Sequence, residues 1–114
     1  VQIEDIEAVD NIDEILSVEG IDAAFIGPYD LSASMGITAQ FNHPKYVEAR
    51  NRILESCESH NITPGIHVVQ PDSEEASDRI SDGFKLLAYS LDITMVQKAC
   101  VEGLKSIRSK ISQK

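Results

Sequence analysis

Ile21-Asp22-Ala23-Ala24-Phe25-Ile26-Gly27-Pro28 decides how this chain folds: an almost wholly apolar run closed by a Gly-Pro pair. A strand with one wet face alternates apolar and polar residues, whereas a strand covered on both faces is apolar nearly throughout. This run therefore reads as a strand of a parallel sheet, and the same unit repeats on either side of it. Upstream, Val1-Gln2-Ile3-Glu4 is extended, and Asp10 to Ser17 follows as a helix with Ile12, Ile15 and Leu16 on one face. Downstream, residues 29–42 read as a long connection with little periodicity, the kind of loop that usually carries a site. Pro44 opens a helix where its missing N–H costs nothing, with Val47, Ile53, Leu54 and Cys57 along one side and an end near Asn61. Pro64 to Val69 is the third strand. Asp72 with Glu75 gives a capping-box-like start to a helix that reaches about Asp82, and Gly83 stops it. Phe84 to Tyr89 is the fourth strand, and the last helix runs from about Ile93 with Val96, Cys100, Leu104, Ile107 and Ile111 as its stripe.

Alternation of strand and helix predicts an α/β fold with helices packed on a parallel sheet. A (β/α)₈ TIM barrel uses roughly 250 residues, about 31 per unit, so 114 residues hold almost four units. The expected architecture is four parallel βα units, half a barrel, with residues 1–114 as one domain. Four strands do not close, so two edges and one sheet face stay open. The first strand begins without Met or a preceding turn, and the expectation is that an N-terminal half is absent.

Nineteen acidic against ten basic residues give a net charge of -9, which disfavours a binder of phosphate backbones. No run approaches the roughly 18 apolar residues of a membrane span, and no signal peptide is evident. The chain is expected to be soluble and cytoplasmic. Cys57 and Cys100 are too few and too distant for a disulfide framework and are expected to be reduced helix residues. Residues 98–114 carry Lys98, Lys105, Arg108, Lys110 and Lys114 against Glu102 alone, a +4 tail on a -13 body. A basic last helix suits the negative end of its own dipole, or an acidic face on a neighbouring subunit.

Glu4 and Asp30 stand at the carboxyl ends of the first two strands, the end that carries the active site in a barrel. Adjacent parallel strands lie about 4.8 Å apart, so both carboxylates can meet one hard divalent cation such as Mg²⁺ or Mn²⁺. The alternative is that Glu4 caps a helix and Asp30 stabilises a turn.

Gln2-Ile3-Glu4, Phe25-Ile26-Gly27-Pro28-Tyr29-Asp30-Leu31-Ser32-Ala33-Ser34-Met35-Gly36, His43-Pro44, Pro64-Gly65-Ile66 and Ala88-Tyr89-Ser90-Leu91-Asp92 occur in that order. Together they resemble the C-terminal half of the HpcH/HpaI aldolases, the class II pyruvate-dependent aldolases of the phosphoenolpyruvate/pyruvate superfamily. The resemblance implies that Glu4 and Asp30 hold a divalent metal, Mg²⁺ or Mn²⁺ with Co²⁺ a further candidate. It implies that the Tyr29 and Asp30 amides receive the pyruvate carboxylate while Gly27 and Pro28 shape the turn. The metal would act as a Lewis acid on the keto oxygen, with no Schiff-base lysine. Lys85, at the start of the fourth strand, is at the wrong end for one. An Arg and a His that complete such sites lie in the other half of the barrel, so this chain is expected to be inactive alone.

His67 departs from the apolar residue usual after Pro-Gly-Ile; it either selects a polar aldehyde or is a buried His hydrogen-bonded to a loop. His43 reads as part of a helix start, His60 as part of a helix end, and Asp92 as a cap of the last helix or a subunit contact. Arg50, Arg52, Arg79 and Arg108 read as surface helix residues. The expected function is cleavage of a 4-hydroxy-2-oxo acid to pyruvate and an aldehyde, in a homo-oligomer assembled through the last helix. The rival readings are a non-catalytic truncated metal-binding or assembly subunit, and a citrate-lyase-like acyl-CoA lyase.

Overall fold

A computed structural model describes residues 1–112; Lys114 of the basic tail lies outside the described residues. Four strands, β1 (Gln2–Ile3), β2 (Ala23–Ile26), β3 (Thr63–Val68) and β4 (Leu86–Tyr89), form one parallel sheet in chain order. The helices are α1 (Ile6–Asp10), α2 (Ile12–Leu16), α3 (Pro28–Ser34), α4 (Pro44–Ser59), α5 (Ser73–Ser81) and α6 (Asp92–Ile111). The expected four βα units, half of a (β/α)₈ barrel, are all present. Their core lies on one face of the sheet, where Ile3, Ala24, Ile26 and Ile66 meet Leu16, Leu31, Ile53 and Cys57. The other face is open: Leu86 is exposed and Phe25 half-buried.

Three local expectations change. The first helix begins earlier than Asp10 and is two short pieces that meet at Asn11, because Asp5 caps the chain at residue 6 by accepting the Glu7 N–H. Residues 28–34, expected as a loop, are α3. Seven residues are too few to show helical periodicity, and the hydroxyls of Ser32 and Ser34 are used up by backbone bonds that fix it, to the Tyr29 and Leu31 carbonyls. On α4 the buried stripe is Tyr46, Ala49, Ile53 and Cys57; of the expected stripe Ile53 and Cys57 are buried, while Val47 and Leu54 are half-buried at its flank.

Other terminal signals work as expected. The His43 side chain accepts the Lys45 N–H at the start of α4, and His60 closes that helix. Asp72 accepts the Glu74 and Glu75 N–H groups, and Gly83 takes φ +109 just beyond α5, a conformation open to glycine without strain. Leu91, not Asp92, holds the cap position of α6, its N–H accepted by the Thr94 hydroxyl, but the Asp92 carboxylate does accept the Ile93 N–H at 2.7 Å.

Helix α6 leaves the body. None of its residues is buried, and its first turns are tied to the rest by the Thr94 hydroxyl pairing with Ser90 Oγ and the Lys98 ammonium donating to the Pro71 carbonyl at 2.6 Å. The radius of gyration is 17.6 Å, against about 13 Å for a compact domain of this length.

Candidate active site

Residues at the carboxyl end of the sheet share one row. The register pairs Ile3 with Ile26, Ile26 with Ile66 and His67 with Ala88. One step beyond Ile3 and Ile26, Glu4 stands beside Gly27, and Gly27 beside His67. Because Ile3, Ile26 and Ile66 face the helices, alternation puts this row on the open face.

Gly27 makes the Glu4 position possible. A Cβ on Gly27 would lie 3.0 Å from Gln2 Nε2, 3.2 Å from Glu4 Oε2 and 3.3 Å from Glu4 Cβ. The carboxylate thus fills space that glycine leaves vacant, on the way to the start of α3. Asp5, and not Glu4, caps α1. Among the described residues neither Glu4 nor Asp30 accepts a hydrogen bond or joins an ion pair, and both are exposed. Asp30 is in the first turn of α3, where a carboxylate is favoured by the helix dipole. The first bond of that helix runs from the Leu31 N–H to the Gly27 carbonyl at 2.9 Å, which leaves the Tyr29 and Asp30 amides without an acceptor inside it. No third His, Cys, Asp or Glu completes a metal-binding group among the described residues.

His67 is half-buried and its Nε2 lies 3.2 Å from the Ser90 carbonyl. A carbonyl only accepts, so Nε2 is the donor there. Ser90 itself is buried at φ +62, its hydroxyl donating to the Val69 carbonyl and pairing with Thr94 Oγ1. His67 is thus bonded to the loop after β4 but only half-buried, short of the full burial expected of a packing histidine.

The arginine reading needs correction. Arg50 of α4 and Arg79 of α5 are largely buried, with side chains 15% and 21% exposed, and both approach Asp82. They line a cavity of about 270 Å³ together with Pro28, Tyr29, Tyr46 and His67. Burial pushes the Tyr46 phenol up to about 12 although the two guanidinium charges pull the other way, so it is a neutral donor at pH 7. Glu4 and Asp30 do not line this cavity. The structure therefore brings Glu4 to Gly27 and brings Pro28, Tyr29 and His67 to the arginines. Arg50 was legible only from its spacing: it is four residues from Tyr46 and three from Ile53, on the buried stripe.

A parallel βα sheet with acidic residues at its carboxyl edge defines an α/β protein of the barrel type. The chain belongs to the HpcH/HpaI aldolase/citrate lyase family, whose sequence pattern matches residues 1–99. It is 35% identical over 109 residues to the 2-keto-3-deoxy-L-rhamnonate aldolase of Escherichia coli (strain K12), covering 96% of this chain and 40% of that protein. The structure of an HpcH/HpaI aldolase from Desulfitobacterium hafniense DCB-2 superposes with a TM-score of 0.86 at 33% identity, over 94% of this chain and 41% of that one. An HpcH/HpaI aldolase/citrate lyase family protein from Burkholderia cenocepacia J2315 gives 0.89 at 30% identity, over 95% and 41%. The chain thus spans about two-fifths of the length of the relatives it matches. Members of the family are aldolases and lyases that generally depend on a divalent metal. No helix among the described residues is long and apolar enough to cross a membrane.

Proposed function

We propose that this chain is the metal-binding, C-terminal half of a barrel enzyme that cleaves a 4-hydroxy-2-oxo acid to pyruvate and an aldehyde. The observation that carries the reading is the Glu4 carboxylate seated over Gly27 at the β1–β2 end, with Asp30 in the first turn of α3 beyond β2, both without hydrogen-bond or ion-pair partners among the described residues. Glu4 and Asp30 would hold Mg²⁺ or Mn²⁺: two hard oxygen donors at one sheet end suit such an ion and leave positions for water and substrate. When bound, the ion supplies Lewis acidity at a keto oxygen.

The other residues bind and orient. The Tyr29 and Asp30 amides donate to the carboxylate of the oxo acid, and Gly27 and Pro28 hold the turn that presents them. His67, with Nε2 committed to Ser90, has Nδ1 left to accept from a hydroxyl on the aldehyde side. Lys85 is at the amino end of β4, its N–H donating to the Pro64 carbonyl, and no lysine occurs in any of the four strands to form an iminium. The relative from Escherichia coli is itself named for a 2-keto acid, which supports the substrate class.

The test uses a polypeptide of full family length that contains this chain. Pyruvate release, coupled to lactate dehydrogenase, should stop with EDTA and return with Mn²⁺, and Glu4→Gln should lower kcat severely while leaving the fold intact. A rate indifferent to chelation, with borohydride trapping a covalent substrate adduct, would refute the assignment of Glu4 and Asp30.

A further inference from the structure

We propose that the cavity between α4 and α5 is a binding site for a small oxyanion that also carries an O–H group, of the hydroxycarboxylate or hydrogen phosphate kind. Two guanidinium groups converge on it from different helices across β3. Each offers five N–H donors, yet their shared carboxylate, Asp82, is 2.9 Å from Arg79 Nη1 and 3.6 Å from Arg50 Nη1. The Nε of both arginines is buried and has no hydrogen-bond partner among the described residues. Buried donors are rarely left so, because desolvation is not repaid without an acceptor. An oxyanion in the cavity is the acceptor this arrangement lacks, after a small shift of the two side chains.

The lining narrows the ligand. Tyr46, only 2% exposed, adds a phenol to the wall. Glu75, one turn before Arg79, lines the same cavity and forms no ion pair among the described residues. It is an acceptor and it repels a ligand made of negative oxygens alone, so a bound anion needs a donor of its own. At about 270 Å³ the cavity lies just below the usual range for drug-sized ligands, which suits a small anion with room for water beside it. Neither Glu4 nor Asp30 lines it, so the cavity does not include the proposed metal ligands, while Pro28, Tyr29 and His67 of the proposed substrate site form one of its walls.

Equilibrium dialysis of the 114-residue chain with inorganic phosphate, in EDTA and at constant ionic strength set by chloride, tests this whatever the chain's state of association. One saturable site per chain is expected. Lactate should compete, and propionate, which lacks the hydroxyl, should compete at least about tenfold less well. Arg79→Gln should weaken phosphate binding about tenfold or more, the loss of a charge-assisted hydrogen bond. Arg108→Gln on α6 should leave it unchanged. If circular dichroism shows Arg79→Gln unfolded, Arg79→Lys keeps the charge without the fork and should still weaken binding. No saturable binding by the unmodified chain, equal competition by lactate and propionate, or equal loss in Arg108→Gln overturns the proposal.

Discussion

Gly27→Ala isolates the seat of the Glu4 carboxylate from the stability of the sheet. Gly27 has φ -89 and ψ 94, which alanine adopts without strain. The new methyl meets Gln2 Nε2 at 3.0 Å and Glu4 Oε2 at 3.2 Å, both flexible ends, and Glu4 Cβ at 3.3 Å. Relief by a few tenths of an ångström is available, and replacing glycine stabilises by about 0.4–1 kcal/mol through the unfolded chain. The unfolding free energy should therefore stay within about 1 kcal/mol of the original. Metal coordination is less forgiving, since ligand distances hold to about 0.2 Å. Displacing one carboxylate by more than that should weaken Mn²⁺ about tenfold, or about 1.4 kcal/mol. Urea unfolding gives the first quantity, and titration with Mn²⁺, read by the loss of the free-ion electron paramagnetic resonance signal, gives the second. Unchanged Mn²⁺ affinity in a folded Gly27→Ala protein would remove Glu4 from the site and refute the reasoning.

The acid limb of stability should reflect Asp13, whose carboxyl is held below its ordinary range first by the Ser56 hydroxyl and then by the Arg52 guanidinium. A depressed folded value gives stability that is complete above the unfolded value of about 3.9 and is lost as pH falls through the folded one. Urea midpoints measured from pH 5 downward should accordingly fall less steeply for Asp13→Asn. Cys57, pushed up to about 11 by burial, should resist maleimide in the native chain and label once the chain is unfolded. Helix α6 should pack on a second copy, because its stripe of Ile93, Val96, Leu104, Ile107 and Ile111 is bare. Removing residues 98–114 should lower the oligomer order seen in light scattering, and an unchanged assembly would show that α6 has no such role.

Strand positions were legible in the sequence because parallel strands covered by helices have few polar residues to blur them, as in Ala23 to Ile26 and Ile66 to Val68. The place of Glu4 was legible for a related reason, since a strand end fixes where the next side chain emerges, whereas Asp30 rides on the unforeseen α3. The short α3 was not, since its seven residues are stabilised by serine hydroxyls and a packed Leu31 and not by an apolar stripe. Arg50 and Arg79 were hidden more deeply. Spacing from Tyr46 and Ile53 puts Arg50 on the buried stripe, but no local signal marks Arg79 or turns either fork inward to meet Asp82; that comes only when α4 and α5 flank β3.

Strand β1 is an edge of two residues, tied to β2 by the Phe25 N–H donating to the Val1 carbonyl at 2.8 Å and the Gly27 N–H to the Ile3 carbonyl at 3.3 Å. The strand that presents Glu4 is thus among the most lightly anchored in the sheet, whereas Asp30 rides on a helix with a buried flank. An ion held by both would act as a clamp across the edge, and its binding energy would be shared with the docking of that strand. Hydrogen exchange at the Phe25 and Gly27 amides would then slow as Mn²⁺ is added, so that local fraying reports on site occupancy without any substrate present.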